Sequence, residues 1–219
     1  LPDGARARGR VDLDGTDLLT LDEDALCHIR GNRIAMIFQE PMTSLNPVHR
    51  IGRQIAEPLR LHRGMRGAAA REEVLRLLDR VGLPDPARRI DAYPHQLSGG
   101  QRQRVMIAMA LSCAPDILLA DEPTTALDVT IQGQILDLIS ELVEDNGMGL
   151  ILISHDLGVI GETVDNVAVM YGGAIVEEGA ADSLFANLAH PYSQGLFAAV
   201  PRPGLSRGNR LNTIPGTVP

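Results

Sequence analysis

The sequence predicts an α/β fold, with helices on both faces of a mostly parallel sheet. Two observations carry this prediction. Apolar runs of strand length stand at residues 34–39, 117–120 and 150–153, and stretches with helical apolar spacing separate them. Strands that are apolar throughout are typical of a parallel sheet buried on both faces. Ligands bind such sheets at the carboxyl ends of the strands, so the residues that follow each strand are the candidate site.

The first part of the domain, predicted over residues 1–50, contains two strands. Residues 10–14 alternate in polarity and meet Asp14-Gly15, a pair typical of a tight turn. Residues 34–39 form a short apolar run that ends in a polar side chain, which favours a buried strand. A proline-bounded loop over residues 41–47 follows.

A helical subdomain is predicted over residues 51–96. Residues 51–81 have helical apolar spacing, which the glycine and prolines of residues 82–86 end. The apolar positions at helix spacing are Val74, Leu77, Leu78 and Val81. A nearly all-apolar helix over residues 101–113 follows, and we expect it inside the core because it lacks a polar face.

The third part, residues 97–180, continues from the strand at 117–120 to an amphipathic helix for which Asp128 is the expected N-cap. The apolar stripe of this helix is Ile131, Ile135, Leu138 and Leu142. A hairpin over residues 166–178, turning at Gly172-Gly173, ends this part. Residues 181–219 form a carboxyl-terminal extension that we expect to be loosely ordered from residue 201, where Pro, Gly and Arg dominate.

Composition excludes several classes of protein. A chain of 219 residues with 44% apolar residues is too apolar for a disordered region and long enough for a sizeable core. No apolar run approaches the roughly 18 residues of a membrane span, and the polar start does not resemble a signal peptide. The net charge of −8 disfavours nucleic acid as a partner. All 20 basic residues are arginine, so no mechanism that needs a lysine can be completed by these residues.

Polar residues follow each apolar strand: Gln39 the first, Asp121-Glu122 the second and His155 the third. Of two adjacent carboxylates at a strand end, one can hold Mg²⁺ and the other can take a proton from water. The alternative is a turn or a helix-capping carboxylate before Pro123. By itself, His155 favours a structural role, and Gln39 indicates little.

Residues 97–101 read Leu-Ser-Gly-Gly-Gln. Ser98 fits a helix N-cap, and Gln101 three residues later completes a capping box. That role does not explain two successive glycines, which cost a helix start conformational entropy. Gly99 and Gly100 would let a phosphate approach the N–H groups and the positive end of the helix dipole, so we favour phosphate contact.

Five segments in this order resemble an ABC-type ATPase domain, a P-loop NTPase-like fold with a helical signature subdomain and a small antiparallel part. They are FQEP (38–41), LSGGQ (97–101), ILLADEP (117–123), TALD (125–128) and ISHD (153–156), which match the Q-loop, signature, Walker B, D-loop and H-loop of that family. Other segments are similar to its dipeptide/oligopeptide (peptide/nickel) importer branch. They include MTSLNP (42–47), YPHQLSGG (93–100) and HPYSQGL (190–196).

The resemblance implies a role for each strand-end residue, with ATP and Mg²⁺ as the bound groups. Asp121 would bind the Mg²⁺ shell, and Glu122 would be the general base for the attacking water. Gln39 would also contact the Mg²⁺, partly through water, and would lie between the metal site and a membrane partner. His155 would contact the γ-phosphate.

The resemblance also implies a head-to-tail dimer of two ATPase subunits, identical or different, with two shared sites. Ser98, Gly99, Gly100 and Gln101 would then bind the nucleotide of the opposite subunit. Asp128 would lie at the dimer seam. Residues 51–93 would meet a transmembrane permease, to which an extracytoplasmic solute-binding protein delivers the solute. The implied location is therefore peripheral, at the cytoplasmic face of the membrane.

One departure from the family is serious. The phosphate-cradling loop G-x-x-x-x-G-K-[ST] and the aromatic residue that stacks on adenine are missing, and the family places both before the turn at residues 12–15. Many peptide-branch members also continue beyond a sequence like that of residues 214–219 into a cysteine-bearing segment. We therefore expect a central piece of a longer protein, inactive alone. Cys27 and Cys113 do not match that segment, and we expect buried structural thiols.

Three functions remain. The first is the ATP-hydrolysing subunit of a peptide importer. The second is a non-catalytic ABC module that completes the nucleotide site of a partner, which the presence of Glu122 and His155 disfavours. The third is a soluble ABC-type ATPase of DNA repair or translation, which the acidic balance and short helical subdomain disfavour. Dipeptides, oligopeptides, nickel chelates and glutathione all remain candidate cargoes.

Overall fold

The computed structural model describes residues 6–40, 44–125 and 127–199, with only the backbone described for Val159 and Glu162. The strands are β1 (Asp12–Leu13), β2 (Thr16–Asp17), β3 (Ile34–Ile37), β4 (Ile117–Asp121), β5 (Gly149–Ile153), β6 (Asn166–Tyr171) and β7 (Ala174–Ala180). The helices are α1 (Glu23–Ile29), α2 (Ile51–Arg63), α3 (Gly67–Arg80), α4 (Pro86–Arg89), α5 (Gly99–Ala110), α6 (Val129–Asn146), α7 (Leu157–Thr163), α8 (Ala181–Ala186) and α9 (Pro191–Ala198). Two compact units divide the chain, Leu1–Ile151 and Leu152–Pro219.

The α/β prediction is confirmed by a three-stranded sheet in the order β3-β4-β5, whose strands β3 and β4 are parallel. Ala35 and Ile37 of β3 are buried, and α5 packs against this strand. The predicted burial of residues 150–153 is wrong, because Ile151 and Ile153 are 54% and 49% exposed. Side chains alternate between the two faces of a strand, and the described helices do not cover the side on which these two isoleucines lie.

The predicted turn at Asp14-Gly15 joins β1 and β2, which pair antiparallel. Asp14 and Gly15 have φ angles of 50° and 82°, as the two central residues of a type I′ hairpin turn require. The paired strands are shorter than predicted, since residues 10 and 11 lie outside the ladder.

Two helices replace the single helical stretch predicted over residues 51–81. Gly64 has a φ of 65° and ends α2, and α3 begins at Gly67. The four predicted apolar positions of α3 and its end are all buried. They belong to one hydrophobic cluster that also contains residues of β3, β4, α5 and α6. The helical segment is thereby packed into the same core as the parallel strands.

The two helices that flank β4 begin and end near the predicted residues. α5 is buried on most sides, as its apolar sequence predicts, and continues into a 3₁₀ turn over Leu111–Cys113. Asp128 is the N-cap of α6, since its carboxylate accepts a hydrogen bond of 3.1 Å from the N–H of Ile131. The helix ends at Gly147, whose φ is 61°.

The second unit contains the predicted hairpin, in which β6 and β7 are joined at Gly172-Gly173. Glu177 on β7 fastens the start of α9, because its carboxylate accepts the N–H groups of Ala189 at 2.7 Å and His190 at 3.1 Å. These hydrogen bonds, chiefly that from Ala189, lower the pKa of Glu177. The predicted tail from residue 201 and the loop residues 41–43 lie outside the described residues.

The prediction for the cysteines is half right. Cys113 is buried, and burial raises the pKa of its thiol. Cys27 is exposed, because α1 is a short polar helix with no buried residue. None of the helices in the described ranges is both long and apolar enough to cross a bilayer.

Candidate functional site

The end of β4 presents the two adjacent carboxylates. Asp121 is the last residue of the strand and Glu122 follows it, and both are half-buried. Glu122 has a φ of 45°, a left-handed conformation that side chains rarely adopt. Strained backbone of this kind is held in place by its surroundings and is common at functional sites.

Gln39 and Glu122, which are 83 positions apart, meet at the ends of neighbouring strands. The side-chain amide Nε2 of Gln39 donates a hydrogen bond of 3.0 Å to Oε2 of Glu122. The parallel register of β3 and β4, with Ile37 opposite Ala120, places both strand ends at one edge of the sheet. The structure therefore brings together two residues that the sequence offered separately.

Thr125, which the sequence did not single out as a site residue, also contacts Glu122. Its hydroxyl donates a 2.7 Å hydrogen bond to Oε2 of Glu122, the oxygen that also accepts from Gln39. The available signal was its position three residues after a carboxylate and two after Pro123, where a hydroxyl can reach back across a turn.

The predicted capping box is present at the start of α5. Ser98 Oγ accepts the N–H of Gln101 at 3.4 Å, and Gln101 Oε1 accepts the N–H of Ser98 at 3.1 Å. Gln101 Oε1 also accepts a hydrogen bond from Arg89 Nη1 at 3.4 Å. Ser98 and Gly99 are exposed, so the amino terminus of this 12-residue helix is open to solvent on that side.

Packing gives a second reason for one of the two glycines, Gly100. A Cβ on Gly100 would lie 2.9 Å from Cγ2 of Ile131 on α6, closer than real side chains approach. A Cβ on Gly99 would lie at an ordinary 3.4 Å from Leu127. Gly100 therefore allows α5 and α6 to approach closely. This packing role is independent of any contact between Gly100 and a ligand.

We expect Gly100→Ala to destabilise the 219-residue chain by about 1–3 kcal/mol, the usual cost of overpacking. Ile131 Cγ2 is attached to the β-carbon and cannot swing away as the end of a long side chain would. Ile131→Leu removes that methyl branch and should recover most of the loss. Urea unfolding of the single and double variants measures both effects.

Gly99→Ala is the matched control, and it should be near neutral. If Gly99→Ala and Gly100→Ala cost the same, or if Ile131→Leu gives no recovery, the close approach of Gly100 to Ile131 does not control stability.

The other two predicted residues lie at the start of α6 and after β5. Asp128 is exposed and caps α6, as described above. His155 belongs to the second unit, where it is exposed and follows β5. The next residue, Asp156, caps α7 by accepting the N–H of Gly158 at 3.0 Å.

The residues at the strand ends fit a magnesium ion that completes its coordination with other groups. Across the described ranges, no group of three or more His, Cys, Asp or Glu side chains could hold a metal. Mg²⁺ is usually bound through one or two carboxylates together with substrate phosphates and water. Asp121 ends β4, and Gln39 lies just beyond the end of the neighbouring strand β3, so the two form such a partial set.

Comparison with protein families gives two matches. Residues 3–125 match the family described as ABC transporter. Residues 176–219 match the family described as oligopeptide/dipeptide transporter, C-terminal region.

Curated relatives resemble most of the chain. A putative peptide import ATP-binding protein of Brucella ovis is 58% identical over 208 residues, which are 93% of this chain and 62% of the relative. A probable peptide ABC transporter ATP-binding protein of Sinorhizobium fredii is 54% identical over 211 residues, which are 96% of this chain and 63% of the relative. The chain thus spans less than two thirds of the length of these relatives.

Solved structures resemble the fold. The dimeric post-hydrolysis state of the ATP-binding cassette MJ0796 bound to ADP and Pi has a TM-score of 0.71 and 34% sequence identity. The match covers 80% of this chain and 74% of that chain. A second dimeric structure of MJ0796, a bacterial ABC transporter cassette, has a TM-score of 0.70 and 32% identity.

Proposed function

The chain belongs to the ABC transporter family of ATP-binding proteins, and from this premise we propose that it serves as the ATP-hydrolysing subunit of an importer of peptides or related small solutes. The observation that carries the proposal is the hydrogen bond between Gln39 and Glu122, which joins two family motifs at one edge of the sheet. The match of residues 176–219 to the oligopeptide/dipeptide region and the names of the relatives support the peptide branch.

Glu122 is the proposed general base. Its half-buried carboxylate would accept the proton of a water that attacks the γ-phosphate of ATP, and Gln39 would help to orient that carboxylate. His155 would contact the γ-phosphate. Asp121 and Gln39 would hold Mg²⁺, partly through water, and the bound ion would neutralise phosphate charge.

The start of α5 would serve a nucleotide held by a second ATPase subunit. Ser98, Gly99, Gly100 and Gln101 surround a helix amino terminus, whose N–H groups and dipole favour a phosphate. Asp128 would lie at the seam between the subunits. The dimeric form of MJ0796 supports an assembly of this kind for the present chain.

The non-catalytic alternative keeps the same signature but needs no base. The contacts of Glu122 with Gln39 and Thr125 favour the catalytic function over it, because they order a carboxylate that a capping module would not use. The match to the oligopeptide/dipeptide region disfavours an ATPase of DNA repair or translation.

The 219-residue chain alone should bind MgATP only weakly, with no micromolar affinity. It contains neither a G-x-x-x-x-G-K-[ST] loop nor any lysine, and these groups normally cradle and neutralise the β- and γ-phosphates. The full-length gene product that includes these residues should bind and hydrolyse MgATP. Calorimetry on both proteins, with phosphate release from the second, tests the proposed function; a full-length product without ATPase activity would contradict it.

The helical subdomain proposed over residues 51–96 would meet a transmembrane permease subunit. A surface pocket between α2 and α3 supports this assignment, because arginines line it together with apolar side chains, among them Ala56, Ala70 and Val74. Arg50 and Arg71 share the carboxylate of Asp91, whereas no ion pair or hydrogen bond among the described residues engages the side chains of three others. Those three are Arg53, Arg60 and Arg66. This pocket would suit an acidic segment with an apolar side chain.

The full-length product, expressed with its neighbouring permease genes, should therefore co-purify with membranes at their cytoplasmic face. Arg53→Glu should reduce the bound fraction several-fold, because it reverses the charge of an exposed side chain that lines the pocket. Arg88→Glu, an exposed change outside the pocket, is the matched control. Membrane fractionation measures the effect; no membrane association of the wild type, or equal loss from both variants, contradicts the proposed docking.

A further inference from the structure

Two side chains from different elements donate to one oxygen of Glu122. Oε2 accepts the amide of Gln39 at 3.0 Å and the hydroxyl of Thr125 at 2.7 Å. Hydrogen bonds to an ionised acceptor are shorter and stronger than those between neutral groups. The shorter of the two contacts at Oε2 is the one from Thr125.

The backbone places the Thr125 hydroxyl over the carboxylate. Thr125 donates its N–H to the carbonyl oxygen of Glu122 at 3.1 Å, which closes a four-residue turn. Glu122 begins that turn with its left-handed φ of 45°, and Pro123, with its fixed φ, follows. The same turn therefore sets the strained backbone of Glu122 and the position of the hydroxyl.

The turn is fastened to the start of α6. The carbonyl oxygen of Thr124 accepts the N–H of Leu127 at 3.2 Å and the side-chain amide of Gln132 at 3.3 Å. Gln132 lies one turn after the N-cap residue Asp128. Movement of the turn would have to break these contacts.

The two donors differ in how firmly they are held. Gln39 is exposed and stands beyond the end of β3, so its contact with Glu122 depends on a segment 83 positions away. Thr125 is half-buried and lies in the same turn as Glu122. If the segment that carries Gln39 shifts, the hydroxyl of Thr125 remains in place.

We propose that Thr125 is a positioning residue that orients the carboxylate of Glu122. This inference rests on the proposed role of Glu122 as the general base. The hydroxyl donates to Oε2 and thereby holds the carboxylate in one orientation, from which it can accept a proton from water. Thr125 itself does not touch the reacting atoms.

The test replaces the hydroxyl while keeping the shape of the side chain, in the full-length gene product. Thr125→Val should lower kcat roughly ten-fold, which is what the loss of one hydrogen bond to a charged group implies. The KM for MgATP should change less than about two-fold.

Thr125→Ser keeps the hydroxyl and should restore kcat. If only the shape of the side chain mattered, Thr125→Val would keep kcat and Thr125→Ser would lose it. The proposal is overturned if Thr125→Val keeps the wild-type kcat, or if serine and valine behave alike.

A second measurement does not depend on turnover. Carbon NMR of ¹³C-glutamate-labelled protein follows the carboxyl resonance of Glu122, which Glu122→Gln identifies by removing it. At one fixed pH, this resonance should shift in Thr125→Val, because the carboxylate loses a hydrogen bond, and should keep its wild-type position in Thr125→Ser. An identical position in all three proteins overturns the positioning role. If the wild type does not hydrolyse ATP, the proposed function fails, and this chemical shift still decides whether Thr125 acts on Glu122.

Discussion

Replacing Glu122 by glutamine is expected to lower the turnover of ATP roughly 10²–10⁴-fold, the range typical for loss of a general base, while ATP binding stays intact. Glutamine has nearly the size of glutamate, and its side-chain oxygen can still accept hydrogen bonds from Gln39 and Thr125. What it lacks is the charge that accepts the proton of the attacking water. The variant should accumulate as a closed dimer with ATP bound.

Phosphate release and equilibrium binding of labelled ATP measure the two halves of this expectation in the full-length product. Glu141→Gln, an exposed change on α6, is a control for the same chemistry away from the site. Turnover within a few-fold of the wild type in Glu122→Gln would exclude this residue as the base. Loss of ATP binding would show that the carboxylate acts in binding instead.

Replacing Ser98 by arginine is expected to prevent ATP-driven closure of the dimer. Ser98 is exposed at the amino terminus of α5, where the phosphate of the opposite subunit would approach. A bulky side chain at this position would block that approach. ATPase activity should fall to the level of Glu122→Gln, but light scattering or size exclusion should find monomers instead of ATP-bound dimers.

Ser98→Ala separates bulk from the loss of the helix cap. It removes the hydroxyl that accepts the N–H of Gln101, which should cost about 1 kcal/mol of stability. It adds no bulk, so dimers should still close with ATP. If the alanine and arginine variants lose closure equally, the effect comes from the cap and gives no support to a phosphate at this position.

Several parts of the fold could be predicted because local sequence determines them. The type I′ turn needs residues that tolerate positive φ, and Asp14-Gly15 provides them. The capping box of α5 and the N-cap Asp128 of α6 depend on side chains within three residues of the groups they bind. The apolar stripe of α3 follows from its 3.6-residue period.

Other features depend on contacts between distant segments. The contact of Gly100 with Ile131 joins residues 31 positions apart, and no local pattern distinguishes a packing glycine from a phosphate-binding one. The exposure of Ile151 and Ile153 depends on which helices cover the sheet, whereas their apolar sequence indicates burial. Cys27 was predicted to be buried from its residue type, but it belongs to a helix with no buried side.

The candidate site shows the same division. The order of the strands determines that the ends of β3 and β4 are neighbours, which sequence reasoning could anticipate for Gln39 and Glu122. The left-handed φ of Glu122 could not be anticipated in this way, because glutamate seldom adopts it. The spacing of Thr125 from Glu122 was a signal for a contact across a turn, but the reach of its hydroxyl to the carboxylate also depends on that conformation.

The most direct test of the shared-site account compares two mixed dimers of the full-length product. One carries Glu122→Gln on one subunit and Ser98→Arg on the other, which places both changes in one composite site and leaves the second site whole. The other carries both changes on the same subunit, so that each site is damaged once. Phosphate release, with nucleotide trapping at each site, should be clearly faster for the first arrangement. Equal turnover and equal trapping in the two arrangements would contradict a site shared between Glu122 of one subunit and Ser98 of its partner.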